Sequence, residues 1–149
     1  MKIMAAAVLS LAACLPAFAG DDKLLPPYPG STETRNETVA YEAFTIPLGP
    51  TKDGKLTKHQ ALEGRRTALE YRTEEGRTPL EVYRNYEAAL KKAGFQAVFA
   101  CRGSGQPVKG LPECGGEIGD AGGFGYWPSG DNLYRAARKA HEGQEIWIA

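Results

Sequence analysis

The run Thr78-Pro79-Leu80-Glu81 constrains this chain more than any other segment. It sets an N-cap hydroxyl, a proline at the first helical position and a glutamate two residues later that can close a capping box. Leu80, Tyr83, Tyr86, Leu90 and Ala93 then recur at helical spacing, with Glu81, Arg84, Glu87, Lys91 and Lys92 outward or at the margin and Gly94 as C-cap. A helix is predicted over about 79–93, and its apolar stripe must be covered by something else.

The flanking segments alternate with a period of two, so the cover is sheet. From Val39 to Leu48, Phe44, Ile46 and Leu48 share one face and Tyr41, Ala43 and Thr45 the other, with Pro47 marking an edge or the strand's end. Asp53-Gly54 signals a tight hairpin. In the extended run from Lys55 to Arg72, Thr67, Leu69 and Tyr71 alternate with Ala68, Glu70 and Arg72, which predicts one buried face, and Gly64 marks a bulge or turn. Phe95, Ala97 and Phe99 lie opposite Val98 and Ala100. Asp131 is expected to cap a short second helix, about 131–140, through Leu133, Tyr134, Ala137 and Ala140, with Gly143 after it. The expected class is α+β: a mostly antiparallel sheet packed against one main helix, with this second short helix beside it.

The N-terminus reads as an address. Lys2 precedes an apolar stretch from Ile3 to Ala13, too short to span a bilayer, and Ala17-Phe18-Ala19 is an A-x-A cleavage signal. The expectation is a signal peptide over 1–19 cut after Ala19 and an exported, periplasmic chain. The rival is a lipoprotein anchored at Cys14, since Leu11-Ala12-Ala13-Cys14 fits a lipobox. After Ala19 an extended lead-in, rich in Pro, Gly, Ser and Thr, is expected over 20–38, followed by one domain over 39–149. The ending Glu145-Ile146-Trp147-Ile148-Ala149 reads as a strand interrupted by the end of the chain.

Export changes what the three cysteines mean. Removing Cys14 with the leader leaves Cys101 and Cys114, an even pair in a disulfide-permissive compartment, and their bridge is expected to stabilise the fold by roughly 2–4 kcal/mol. Metal binding has little to draw on, because His59 and His141 are the only histidines and neither has zinc-like spacing to a cysteine. With 18 basic and 18 acidic side chains, the balance gives no electrostatic reason to expect nucleic acid.

No catalytic constellation or cofactor signature emerges. The glycine-rich segment 102–130 holds neither a phosphate-cradling motif nor a full nucleophile elbow around Ser104. His59 and His141 lack a motif partner, and the carboxylates Glu63 with Glu70, or Asp120 with Asp131, form a pair only if the fold brings them together. Phe124, Tyr126 and Trp127 are the candidate binding residues, suited to stacking on a sugar ring or to closing over the sheet. Asn36-Glu37-Thr38 matches a glycosylation sequon.

Four stretches together carry a resemblance: Tyr28-Pro29-Gly30-Ser31; Leu62 to Thr67 with Tyr71; Leu80 to Leu90 with Ala93-Gly94-Phe95; and Phe99-Ala100-Cys101 with Cys114-Gly115. The mature chain resembles the periplasmic N-terminal domain of OmpA-family outer-membrane proteins and related exported proteins. Nothing in it matches the family's C-terminal OmpA-like domain, so no peptidoglycan-binding residue carries over. The resemblance implies a non-catalytic envelope module, associated with the outer membrane or cell wall, with peptidoglycan or an outer-membrane protein as partner. The alternative is a small secreted hydrolase with its site in the loop 102–130.

Overall fold

The computed structural model describes residues 24–116, 118 and 131–149. The leader, including Cys14, lies outside them, as do Asp120, Phe124, Tyr126 and Trp127. The described elements are β1 (Thr32–Pro47), β2 (Thr51–Lys52), β3 (Lys55–Leu56), β4 (His59–Arg72), α1 (Pro79–Lys92), β5 (Gln96–Arg102), β6 (Leu133–His141) and β7 (Gln144–Ile148). The class is α+β and the pairing mostly antiparallel, as expected, but the strands fall into three separate sheets and dominate the fold.

The three-stranded sheet, in the order β5-β6-β7, is the middle layer. On one face it meets α1, where Leu90, Phe95 and Ala137 form a small core joined by Leu25, Ile146 and Ile148. On the other face Cys101, Tyr134 and Ala136 pack against Ile46, Phe44 and Leu62 from the base of the β1-β4 ribbon. The Tyr134 hydroxyl is buried and donates to the Pro47 carbonyl at 2.9 Å. Burial disfavours its charged form and pushes the phenol pKa up.

Residues 131–140 are the main correction. Leu133–His141 is strand β6, not a helix. Leu133, Tyr134, Ala137 and Ala140 satisfy a helical spacing, but Tyr134 and Ala136 serve one face while Arg135, Ala137 and Lys139 serve the other. A strand covered on both faces shows no apolar-polar alternation, and alanine fits either structure. Gly143 is the second residue of a two-residue hairpin, with Glu142 at φ 50° and Gly143 at φ 79°, rather than a helix cap. Asp53 and Gly54, at φ 51° and 72°, make the same kind of turn between β2 and β3.

The ribbon also departs from expectation. β1 begins at Thr32, inside the segment read as lead-in, and pairs with β4 along almost its whole length. Leu69 is 37% exposed, so the distal ribbon does not bury the face its alternation suggested. Cross-strand pairs hold it instead: Arg35 with Glu70, Arg66 with Glu42, and Thr38 with Thr67, while Arg35 also pairs with Glu37 along β1. The register slips at Thr34 and again at Ala40-Tyr41, where β1 carries an extra residue opposite β4.

Helix α1 forms where expected. Thr78 accepts from the Glu81 backbone N–H at 3.2 Å, and Ala93 is the C-cap. Leu80 is 39% exposed, however, because the sheet contacts α1 further along, at Tyr83 and Leu90. The lead-in docks on α1: the Tyr28 hydroxyl donates to Glu81 at 2.5 Å, and the Tyr28 backbone N–H donates to the Tyr86 hydroxyl at 3.1 Å. That bond lowers the Glu81 pKa and raises that of Tyr28.

The disulfide joins Cys101 to Cys114, with Cα atoms 5.1 Å apart. Gly115 follows at φ 77°, and an added Cβ there would collide with the Thr51 carbonyl oxygen. Gly54 has a similar φ of 72° with open space around it. In urea unfolding, Gly54→Ala should therefore cost only the left-handed backbone penalty, about 1–2 kcal/mol. Gly115→Ala should cost clearly more; equal losses would show that the approach to Thr51 does not matter.

Candidate functional site

The segment 108–111 faces α1 across the outer edge of β5, leaving an open groove of about 370 Å³. Its floor is the β5 run Ala97–Ala100, one wall is Arg84 and Glu87 of α1, and the other is Lys109 to Leu111. Arg135 reaches its inner end from β6.

Its walls carry a polar clasp. Arg135 donates to the Tyr83 hydroxyl at 3.1 and 2.8 Å through two of its nitrogens, and pairs with Glu87. Its guanidinium carbon lies 5.1 Å from the Tyr83 ring centre. Arg84 donates to the other Glu87 oxygen at 2.7 Å and to the Lys109 carbonyl at 3.3 Å, so it bridges the groove's two walls. The Arg84 hydrogen bond, and the Arg135 charge behind it, hold the Glu87 carboxyl below the usual range, against the opposing effect of burial. Two cations, Arg84 and Arg135, thus share the Glu87 carboxylate, and Lys109 lines the opposite wall.

Backbone chemistry adds a second feature. The Arg102 N–H donates outward to the Pro112 carbonyl at 2.9 Å, and its own carbonyl accepts from the Cys114 N–H at 2.8 Å. Residues 112–114 therefore lie alongside the end of β5, with Arg102 and Glu113 in a parallel bridge. Outward-facing groups recur every second residue along a strand, so Ala100 also turns its N–H and carbonyl to the groove. Among the described residues no backbone hydrogen bond reaches that side of Ala100. Beyond it Val98, 38% exposed, is the extra residue of a bulge between Ala97 and Phe99.

That bulge breaks the alternation read from the sequence. Phe95 belongs to the core under α1 and Phe99 to the core under the ribbon, so the two do not share a face.

The titratable residues singled out in the sequence are spread apart. His59, Glu63 and Glu70 lie along β4, opposite Pro47, Ala43 and Arg35. Glu63 accepts from the Tyr41 hydroxyl at 2.9 Å, and Glu70 pairs with Arg35. His141 sits at the end of β6, on the β6-β7 hairpin. Asp131 is exposed beside Gly105, where an added Cβ would strike its carboxylate. Cys101 and Cys114 are joined as expected.

The groove residues carried no local signal. Arg84 reads as an outward helix residue, Arg135 falls in the segment taken for a helix, and Lys109 stands alone in a loop; only the β5-β6 pairing brings them together. No family model, no curated protein and no solved structure matches this chain.

The clasp makes stability depend on pH. Glu87 is depressed in the folded state, so its contribution is present above the unfolded carboxylate pKa and is lost as pH falls through the folded one. Glu87→Gln should therefore be less stable than wild type in urea at pH 7, with the gap narrowing steadily as pH drops below the ordinary carboxylate range. A constant gap down to pH 2 would show that Glu87 acts only through packing.

Proposed function

We propose that this chain is an exported, non-catalytic binding module of the bacterial cell envelope, associated with the outer membrane or cell wall, and that the groove beside β5 is its contact site. The groove carries the reading, because it is where charge, open strand edge and concavity coincide. The buried disulfide supports export, since such bonds persist in oxidising compartments. The leader ending at Ala19 and the resemblance to the periplasmic domain of OmpA-family proteins support the same compartment.

The envelope offers two kinds of partner, peptidoglycan and outer-membrane protein. Phe124, Tyr126 and Trp127 have the chemistry to stack on a glycan, while the groove suits a polypeptide.

The test is expression of the full chain in a Gram-negative host. The expected product is periplasmic, starts at Gly20 by mass and shows no reactive thiol. A cytoplasmic protein, or two reactive thiols in exported protein, would overturn the envelope reading. Cosedimentation with purified sacculi, comparing wild type with Trp127→Ala, then separates the partners. Retention lost on substitution identifies a glycan, and no retention of either protein leaves a protein partner.

A further inference from the structure

We infer that the groove between α1 and the segment 108–111 takes an extended acidic peptide of a partner protein, which adds as a short strand to the outer edge of β5. This deepens the binding role proposed above and rests on it.

Three observations point to that occupant. The chain itself already uses this edge, since residues 112–114 lie along β5 and exchange two backbone hydrogen bonds with Arg102. Two residues along, Ala100 offers the same outward donor and acceptor, with no backbone bond to them among the described residues. A peptide entering there would continue a pattern the fold has started, the recognition mode known as strand addition.

Charge selects the peptide. Among the described residues, Arg84, Lys109 and Arg135 line the groove with Glu87 as the one carboxylate. Glu87 shares its two oxygens between Arg84 and Arg135, and Lys109 makes no ion pair among the described residues. The groove therefore has cationic capacity beyond its internal pairing, which favours Asp or Glu side chains. Shape favours an extended segment, because the groove is open and runs along the single strand segment Ala97–Ala100, where Ala97 and Ala100 are small.

The two contributions can be separated. Ala100→Pro removes the outward N–H and leaves the β5-β6 bonds intact, because proline is tolerated where a strand edge faces outward. Lys109→Glu reverses the one groove cation that makes no ion pair among the described residues, and leaves the clasp of Arg84, Glu87 and Arg135 and the backbone of the strand edge in place.

The probe is a fluorescein-labelled heptapeptide of alternating valine and glutamate, titrated by polarisation against purified, oxidised mature protein, with a valine-lysine heptapeptide as control. Saturable binding of the acidic peptide alone is expected, weakened at least about tenfold by the charge reversal and abolished by Ala100→Pro. Amide shifts in the wild-type protein should centre on Ala97 to Ala100, a readout that does not require the proline variant to fold. Absence of saturable binding up to about 1 mM, equal binding of the lysine peptide, or shifts confined to another surface would overturn the inference. The assay uses oxidised protein in vitro, so its failure is distinct from a failure of export.

Discussion

The Cys101–Cys114 bond is the constraint on which the remaining contacts depend. Cys101 has no exposed surface and pairs in register with Tyr134 at the centre of the sheet. The Cys114 carbonyl accepts both the Thr51 N–H at 2.7 Å and the Thr51 hydroxyl at 3.1 Å, so one covalent bond ties the sheet to the turn region of the ribbon. Glycines at 115 and 116 are what this approach requires, because a side chain at either would strike Thr51. The same bond closes the loop that carries Lys109 and Leu111, and so holds the outer wall of the groove in place.

On the opposite face, the helix is held by polar groups as much as by apolar ones. Arg135 reaches up to Tyr83 and Glu87, and the Lys139 ammonium donates to the Ala93 carbonyl at 2.8 Å, satisfying a group at the helix C-terminus. These two contacts fix the position of α1 along β6 more tightly than Leu90 and Phe95 alone would, since apolar packing is non-directional. Arg84 and Arg135 each engage one oxygen of Glu87, which ties the helix wall of the groove to β6.

Local rules explain how much of this was legible in the sequence. The helix at Thr78 to Ala93, the turn at Asp53-Gly54 and the cysteine pair all follow from chemistry confined to a few neighbours. Residues 131–140 did not, because a strand buried between a helix and a ribbon loses the alternation that marks a strand, and two alanines supply apparent helical spacing. The distal ribbon misled in the other direction. Its alternation is genuine, yet its residues meet across the strands rather than in a core, which sequence period alone does not distinguish. The groove was invisible for a simpler reason: Arg84, Lys109 and Arg135 come from three elements joined only by long-range pairing.

The treatment of strand edges bears on why a peptide would choose this place. An unpaired edge invites another chain, and folded proteins blunt such edges with charge, bulges or cover. The ribbon carries ion-paired side chains across much of its length, and residues 112–114 cover the end of β5 at Arg102. Between Arg102 and the Val98 bulge the edge is neither charged nor covered among the described residues, but it is short. Ala100 offers two backbone hydrogen bonds, each worth roughly 0.5–1.5 kcal/mol net, which on their own would not retain a peptide against its loss of freedom. The surrounding cations must then provide much of the attraction, and screening by salt would make the contact sensitive to ionic strength. A short edge closed by a bulge also limits pairing to a few residues, which opposes runaway strand addition while leaving room for a reversible partner.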